Sequence, residues 1–568
     1  MDSPQQRIPS RVERYAPLVA GLCIALPNVL FHYPPMVDLP HHEGMVALLR
    51  GIHDPTVVPE GVYQLNIGHS NQLFYFVAWL LSFAFGVELA CKVVVAVTLV
   101  AILLAGARLA AYLDASRWVA LLLAPVAIGW LYLWGMIANL MGLAALLAML
   151  PTLDRLSERP SLRTALAAVG GAVLVYECHE LMLILYAGAA LIFAAGHVLR
   201  PRETLLRLVP FLAALGISVG EQVWTARIIT PTVARTTSLW APVTRKIFGI
   251  AGTLYWGHEP QFLIPLTALT LLALLLILLA RLQVKAQRVR LGPREFIHRY
   301  RFELFGGACF LLYLGLPMNV HGATMVYHRF LAPAYAVLVV CLAPRGAMAT
   351  LRPLTCIVLA SLTIGALFIM LPLMADVSTS AGDLDKLMAK MGANNAVACL
   401  DLGPNPNQVR NATVGSMGAR VLTARGGRLL LSFAVSPISP VIFSPQYDWD
   451  EPHKRMMFDH FALRPAHDFT RFRYLLIHTA SARLALGVAM ALAPQATLVE
   501  SAGDWSLFES KLQTVPLKSV DVPLPVPAPE SLGHLLRAMG TGPASPLNEY
   551  DLPQKPEPNR RQDGARSE

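Results

Sequence analysis

Long apolar runs separated by short polar segments dominate the first 375 residues of the chain. The runs lie at about 15–31, 72–88, 91–112, 118–150, 164–178, 180–197, 205–225, 261–280, 302–318, 330–343 and 353–374. Most of them approach the ~20 residues that an α-helix needs to cross a bilayer. The pattern therefore predicts an all-α polytopic membrane bundle over residues 15–375, with roughly 11–13 transmembrane helices.

The run at 118–150 is too long for one simple span. Its centre, "WLYLWGMIANL", places Trp134, Gly135 and Asn139 among apolar residues. Irregular backbone at membrane depth occurs where it is buried in protein or lines a cavity. We therefore predict a break or a re-entrant segment here, and the exact number of spans depends on it.

Basic residues cluster in the loops 152–163, 199–207, 281–301 and 345–352. Loops of this kind are typical of the cytoplasmic side of a membrane. With residues 1–14 also cytoplasmic, the number of spans is odd. The first polar loop, residues 32–70, the turn at Glu177 to Glu180 and all residues after 375 are then predicted to lie outside.

The pattern changes after residue 375. The stretches "NNAVACLDLG", "PVIFSP", "YLLIHTA" and "ATLVESAGDWSLFES" have the composition of β-strands, and helical stretches at 382–392 and 481–492 lie among them. A small extracytoplasmic α/β domain at 376–512 is the natural interpretation. Residues 513–568 are Pro-rich and poor in aromatic residues, and they are predicted to be a disordered tail.

Composition agrees with a membrane protein. The 568 residues are 55% hydrophobic and only 14% charged, whereas soluble domains have about 25% charged residues. The net charge of +10 comes from short basic loops, so it indicates lipid headgroups as the partner and not nucleic acid. The sequence contains neither a G-x-x-x-x-G-K-[ST] phosphate loop nor a G-x-S-x-G elbow, which disfavours a primary pump and a common serine hydrolase.

The stretch "VDLPHHEGMVALLRG", residues 37–51, places four titratable groups directly after the first span: Asp38, His41, His42 and Glu43. Pro40 suits a helix start, and Asp38 is placed to cap that helix. In the simplest interpretation, the apolar residues lie along the membrane surface and the histidines and Glu43 form a solvated face. The alternative is a divalent metal site, which would need further ligands because adjacent helical residues point in different directions.

Two other stretches lie on the predicted outer side. The turn "ECHE" contributes Glu177, His179 and Glu180, which are possible additional metal ligands. The stretch "MVYHRFLAP" places His328 and Arg329 at the start of a late span. An arginine fork suits phosphate, although an arginine that only anchors the span end at the interface fits equally well.

These stretches resemble the GT-C superfamily of polytopic membrane glycosyltransferases. The likeness rests on an acid in the first outer loop ("VDLPHH"), on "WGMIANLMGLAALLAML" and on "YHRFLAP". It implies transfer of a sugar from a polyprenyl-phosphate donor to a glycan, lipid or protein acceptor at the outer face of a bacterial inner membrane. It also implies that Asp38 is the catalytic base or holds a metal, with His41 or His42 sharing that role, and that Arg329 lies near the donor phosphate together with His328.

Under the same resemblance, Glu177, His179 and Glu180 position sugar hydroxyls or a metal. The chain departs from several branches of the superfamily because "HHE", and not a second acid, follows Asp38. Metal use and substrate therefore stay open. Two other functions also stay open: a transporter or flippase of a lipid-linked or anionic substrate, and a non-catalytic membrane assembly factor.

Overall fold

A computed structural model describes most of the chain. It covers residues 10–197, 201–228, 238–255, 260–283, 291–320, 324–346, 351–403, 409–447, 456–457, 459–479, 481–512 and 530–539. Parts of the predicted basic loops and most of the predicted tail lie outside these ranges.

The first half of the chain is helical. Its helices are α1 (Arg11–Leu30), α2 (Leu39–Gly51), α3 (Leu73–Phe85), α4 (Val87–Tyr112), α5 (Ala124–Ala127), α6 (Trp130–Leu133), α7 (Ile137–Glu158), α8 (Leu162–Cys178), α9 (Glu180–Ala195) and α10 (Pro201–Ile228). A 3₁₀ helix at Arg117–Leu123 precedes α5.

The second half adds helices on both sides of the last span. They are α11 (Val243–Phe248), α12 (Ile250–Tyr255), α13 (Pro260–Leu282), α14 (Pro293–Gly315), α15 (Leu331–Leu342), α16 (Pro353–Met388), α17 (Val409–Ser416), α18 (Arg420–Arg425), α19 (Pro465–Asp468), α20 (Ala482–Leu492) and α21 (Leu532–Ala538). A 3₁₀ turn at Tyr327–Phe330 leads into α15.

Five of the described helices, α4, α7, α10, α13 and α16, are long and apolar enough to cross a membrane. Shorter apolar helices, among them α3, α9 and the segment Tyr327–Leu342, accompany them. Helix α1 packs along α4, and α4 packs in turn on α7, so the buried side chains of the bundle form one continuous core. The protein is an integral, mostly helical membrane protein, as its sequence predicts.

The predicted break in the run at 118–150 is confirmed. The chain forms the 3₁₀ helix and the short helices α5 and α6, and the long helix α7 begins only at Ile137. Gly135 lies in the gap with a positive φ of 78°, a conformation that costs little only for glycine.

Three of the four predicted strand stretches belong to a five-stranded mixed sheet near the C-terminus, whereas "PVIFSP" pairs with the first polar loop. The described residues contain seven strands in all. The strands are β1 (Tyr63–Leu65), β2 (Ala396–Asp401), β3 (Arg428–Leu429), β4 (Val441–Phe443), β5 (Tyr474–His478), β6 (Ala496–Ala502) and β7 (Trp505–Ser510). The sheet has the order β3-β2-β5-β7-β6, in which β2 is parallel to β3 and β5, and the hairpin β6–β7 is antiparallel. Its residues lie within the predicted 376–512 region.

The C-terminal region is tied to the membrane bundle. Helix α16 continues without interruption through residue 375, so no linker separates the last span from the sheet region. Strand β1, from the first polar loop, pairs with β4. Arg420 is only 2% exposed, and its guanidinium pairs with Asp385 of α16 at 2.8 Å and with Glu88 of α4 at 3.1 Å.

Two sequence-based expectations are wrong. Helix α2 does not have a solvated face, because almost all of it, including His41 and Glu43, is buried. It packs against α18 of the C-terminal region, which covers the side predicted to face solvent. Residues 530–539 of the predicted disordered tail contain α21, whose Leu532 and Leu536 are fully buried. The other residues after 512 lie outside the described part of the chain.

Candidate active site

Backbone contacts to the broken helix segment hold Asp38 in place. The amide of Asp38 donates to the carbonyl of Trp134 at 3.1 Å, and the amide of Val37 donates to Leu133 at 2.9 Å. A Cβ at Gly135 would lie 2.7 Å from the Asp38 nitrogen, so only glycine allows this approach. The break and the acidic stretch, which are far apart in sequence, therefore form one structure.

The Asp38 side chain is not a helix cap. Asp38 occupies the position before α2, but its backbone is helical and its side chain makes no capping hydrogen bond. None of the described residues donates a hydrogen bond to its carboxylate, which remains partly accessible to solvent. Burial raises the pKa of Asp38 to about 7, although the charge of Arg329 acts in the opposite direction. An acid with these properties is suited to exchange a proton near neutral pH.

Arg329 lies close enough to Asp38 and Glu180 for their charges to interact. Its Nη2 donates to the carbonyl of Thr324 at 3.2 Å, and its Nη1 lies 3.4 Å from Nε2 of His179. The Nε atom is buried and has no partner among the described residues. The guanidinium therefore retains donor capacity for an anionic group.

His328 has a different environment from its neighbour Arg329. Its ring stacks between Trp130, with centroids 4.8 Å apart, and Tyr327, with centroids 3.8 Å apart. Nδ1 is buried without a partner in the described part of the chain. Stacking fixes the ring, so His328 forms part of the wall beside Arg329.

The turn between α8 and α9 faces the same site. Nδ1 of His179 accepts a hydrogen bond from the amide of Leu181 at 3.1 Å and so caps α9, which leaves Nε2 directed at Arg329. The amide of Glu180 donates to Oδ1 of Asn71 at 3.2 Å. This turn is therefore attached to the first polar loop, which also carries Asp38.

Glu221 joins Glu177 and Glu180 in an acidic group. Its Oε1 accepts a hydrogen bond from the amide of Ser70 at 2.9 Å. The charge of Glu221 acts on both Glu177 and Glu180. Three carboxylates thus line the side of the site that lies towards α8, α9 and α10.

The three candidate metal ligands of α2 have separate partners. The ring of His41 stacks on Phe433 with centroids 5.0 Å apart. Glu43 accepts a hydrogen bond from the Tyr33 hydroxyl at 3.0 Å. Burial raises the pKa of Glu43 to about 8 and lowers that of His41 to about 4. In the described residues, His41, His42 and Glu43 do not form a group with converging ligand atoms.

His42 instead supports the position of Asp38. Its Nε2 lies 3.2 Å from the carbonyl of Gly135 and its Nδ1 lies 2.8 Å from the Tyr75 hydroxyl. Burial lowers the pKa of His42 to about 3, so the ring is neutral at physiological pH. The neutral tautomer protonated on Nε2 satisfies both contacts, donating to Gly135 and accepting from Tyr75.

Comparison with solved structures identifies the architecture. ArnT from Cupriavidus metallidurans bound to undecaprenyl phosphate is similar over 89% of this chain and 100% of its own, with a TM-score of 0.52 and 10% sequence identity. The chain has the GT-C fold. The GT-C resemblance predicted from the three short stretches is thereby confirmed at the level of fold.

Other comparisons add less. Apo ArnT from the same organism covers 88% of this chain and 97% of its own, with a TM-score of 0.47 and 10% identity. No protein-family model and no curated protein sequence matches the chain. At this distance, the GT-C assignment concerns the fold, and the chemistry of the site has to be argued from its residues.

Sequence reasoning missed two features of the candidate site. It did not connect Gly135 and Tyr75 with Asp38, because these residues meet only in the folded chain. It also did not foresee the position of Lys246, which is buried and donates to the carbonyls of Leu314 and Leu316. Its ammonium group lies 4.5 Å from the Tyr327 ring centre, so this lysine stabilises the turn that carries Arg329.

Proposed function

We propose that the protein is a membrane glycosyltransferase that moves a sugar from a polyprenyl-phosphate donor to an acceptor at the outer face of the membrane. The observation that carries the proposal is the Asp38–Arg329 pair. The Asp38 carboxylate has a pKa near neutrality, accepts no hydrogen bond from the residues that the structure describes, and lies within electrostatic reach of the Arg329 guanidinium, which is buried and has spare donor capacity. The GT-C fold supports the same conclusion.

The proposed reaction is an inverting transfer. Asp38 accepts the proton of an acceptor hydroxyl while that oxygen forms a bond to C1 of the sugar. The bond between C1 and the phosphate oxygen breaks, and the polyprenyl phosphate leaves with the electron pair. Arg329 stabilises the negative charge on the leaving phosphate. Proton, bond and charge are thus accounted for by these two side chains and the two substrates.

The remaining site residues have positioning roles. Nε2 of His179 lies against the guanidinium of Arg329 and positions it from one side. His328 and Trp130 provide a flat stacked wall. Glu177 and Glu180 are carboxylates on the open side of the site, where they are suited to bind sugar hydroxyls. Among the described residues, His41, His42 and Glu43 do not bring their ligand atoms to a common point, so the proposed mechanism does not use that set.

A mostly apolar cavity is an argument for a donor that carries a lipid chain. It has a volume of about 380 Å³ and lies between α12, α13, α14 and α15, with Leu254, Phe310, Leu331 and Leu338 among its lining residues. Leu331 follows Arg329 by two positions, so the cavity wall and the proposed phosphate contact belong to one continuous segment. ArnT was solved with undecaprenyl phosphate bound, and we infer a donor lipid of this class here.

The helix break does not favour a transporter in particular. Broken helices in transporters supply backbone groups to a substrate near mid-membrane. Here the carbonyls of Leu133 and Trp134 are already bonded to the amides of Val37 and Asp38. The break therefore already has a role in holding the proposed base.

The transfer proposal is tested with the Asp38→Asn variant. Purified full-length protein in proteoliposomes is supplied with a panel of undecaprenyl-phosphate-linked pentoses and hexoses and with extracted envelope lipids and glycans. Release of undecaprenyl phosphate is measured. We expect wild-type protein to release it and Asp38→Asn to do so about 10²–10⁴-fold more slowly, because the general base is lost.

Asp54→Asn is the matched control. Asp54 belongs to the same polar loop, but its side chain is exposed and accepts hydrogen bonds from Thr56, so its substitution should leave the rate unchanged. Equal rates for wild type and Asp38→Asn would remove Asp38 from the mechanism. Absence of release with every donor, in wild type as well, would favour the transporter or the assembly factor.

A further inference from the structure

A second group of potential ligands lies at the opposite end of the bundle. Among the described residues, Glu158, His197 and His298 form a group whose ligand atoms all lie within 4.8 Å of one another. Glu158 ends α7, His197 follows α9, and His298 lies near the start of α14. Helix α7 begins beside Asp38 and its 22 residues span about 33 Å, so this group is separate from the candidate active site.

The backbone is arranged to bring the two histidines together. A Cβ at Gly196 would lie 3.0 Å from the Cα of His298, so a glycine at this position allows the end of α9 to approach α14. The two imidazole rings meet edge to face, with centroids 5.0 Å apart and planes at 82°. Two imidazoles that bind one ion need a comparable approach, with a nitrogen of each directed to a common point.

One nitrogen atom of each ring has no hydrogen-bond partner among the described residues. Nε2 of His197 and Nδ1 of His298 are shielded from solvent and form no hydrogen bond with the described residues. Nε2 of His298 lies 3.5 Å from Oε1 of Glu158. A shielded polar atom without a partner carries a free-energy cost, and a bound cation would satisfy nitrogen lone pairs.

The charged residues around this group indicate which kind of metal ion it would bind. Arg301 already pairs with Glu158, with 2.9 Å between Nη2 and Oε1, and it also pairs with Asp154. The carboxylate is therefore shared, and most of the affinity must come from the two imidazoles. Mg²⁺ and Ca²⁺ prefer oxygen ligands, whereas imidazole suits Zn²⁺ and related transition-metal ions.

We propose that Glu158, His197 and His298 form a binding site for a divalent transition-metal ion, with Zn²⁺ as the best match. The ion joins the ends of α7, α9 and α14 on the side of the membrane predicted to be cytoplasmic. The side chains of Glu158 and His298 are 38% and 39% exposed, so the ion is accessible from solution and water completes a tetrahedral set. The site stabilises the bundle and takes no part in the proposed transfer.

The test uses full-length, detergent-solubilised protein carrying an affinity tag without histidine. After chelator treatment, the protein is titrated with Co²⁺, whose visible absorption reports tetrahedral coordination, and Zn²⁺ is measured by elemental analysis after gel filtration. We expect one ion per chain in the wild type. His298→Ala should bind at least about tenfold more weakly, because a ligand is lost. Zn²⁺ should raise the melting temperature of the wild type and not that of His298→Ala.

His534→Ala is the matched control, because His534 is an exposed histidine beside Glu530 at a comparable ion-pair geometry. It should bind Co²⁺ as the wild type does. Glu158→Gln provides a second ligand variant if His298→Ala does not elute as a monodisperse protein, and it should also bind more weakly. Wild-type protein that binds no stoichiometric ion, or ligand variants that bind it as tightly as the control, would overturn the proposal without affecting the proposed transferase.

Discussion

The environment of Asp38 combines features that structural acids rarely share. Most buried carboxylates are hydrogen-bonded or paired in direct contact, whereas the Asp38 carboxylate accepts no hydrogen bond from the described residues although its backbone is held firmly. Burial raises its pKa to about 7. A folded protein that keeps such a group carries a cost in stability, and that cost can be measured.

The raised pKa predicts how Asp38→Asn changes stability with pH. The pKa of Asp38 is 3.8 in its unperturbed form and about 7 in the folded protein, so the folded state favours the protonated acid. The stability that this provides is complete below pH 4 and is lost as the pH rises through 7. Asparagine does not titrate, so the stability of the variant relative to the wild type should rise by about 3 kcal/mol between pH 5 and pH 9, because the two pH units below the folded pKa contribute ~1.4 kcal/mol each.

Melting temperatures of the two proteins in detergent, followed by tryptophan fluorescence between pH 5 and pH 9, check this prediction. Asp54→Asn serves again as the control, because Asp54 is exposed and its hydrogen bonds to Thr56 lower its pKa. Its effect should not change across neutral pH. A constant difference between Asp38→Asn and wild type over this range would show that Asp38 titrates normally.

At the scale of elements, the broken segment between α5 and α7 and the start of α2 depend on each other. Gly135 adopts a positive φ, and its missing side chain leaves room for the Asp38 backbone. His42 then bonds to the Gly135 carbonyl from the other side. The location of Asp38 is therefore determined by an element nearly one hundred residues further along the chain.

Gly135→Ala should displace Asp38. The added methyl group is disfavoured at this φ and would lie 2.7 Å from the Asp38 nitrogen, so the two segments must separate. A shift of ~1 Å in a catalytic group can reduce the rate about 10²-fold. We expect a comparable loss in the release of undecaprenyl phosphate, with protein that still elutes as a folded species.

Gly188→Ala is the control for this variant, because Gly188 lies in α9 with open space around its missing side chain. Alanine there should leave the rate unchanged and support the helix. If Gly135→Ala retained the wild-type rate, the contact between the broken segment and Asp38 would have no role in catalysis.

The sequence predicted these elements better than their contacts. The apolar runs, the break at Gly135 and the strands after residue 395 follow from local pattern, and the structure contains all of them. The burial of α2 could not be predicted, because an apolar helix face looks the same whether it meets lipid or the protein. The helix α21 was missed because its short apolar stretch lies inside a Pro-rich segment.

At the scale of the whole molecule, the C-terminal region packs on helix α2, which follows Asp38, and buried polar contacts connect this region to the bundle. Arg420 connects α18 with Asp385 and Glu88, and its guanidinium lies 4.6 Å from the ring centre of Tyr33. Tyr33 in turn bonds to Glu43 of α2. No sequence pattern indicated this network, because its members come from five separate segments of the chain.

The overall arrangement of the chain also explains why three short stretches were enough to predict the fold. The stretches with Asp38, Gly135 and Arg329 lie in different thirds of the bundle sequence, yet they meet at one end of the folded molecule. A resemblance based on all three stretches therefore depends on how the whole chain folds and not on one local segment. It does not specify the sugar or the acceptor, which depend on side chains around Glu177, Glu180 and Glu221.

The most direct test of the account is the affinity of the protein for undecaprenyl phosphate when Arg329 is changed. Binding to the purified full-length protein is measured for wild type, Arg329→Ala and Arg329→Lys, with undecaprenol as the lipid without phosphate. Arg473→Ala, which removes a partly exposed arginine paired with Glu509, is the control.

We expect Arg329→Ala to bind undecaprenyl phosphate about 10–100-fold more weakly, because a hydrogen bond to a charged group contributes about 1.5–3 kcal/mol. Arg329→Lys should be intermediate, since lysine keeps the charge but not the planar fork. Undecaprenol should bind weakly and equally to all four proteins. Undecaprenyl phosphate affinity that is the same in Arg329→Ala as in wild type would contradict the claim that this site holds the donor phosphate.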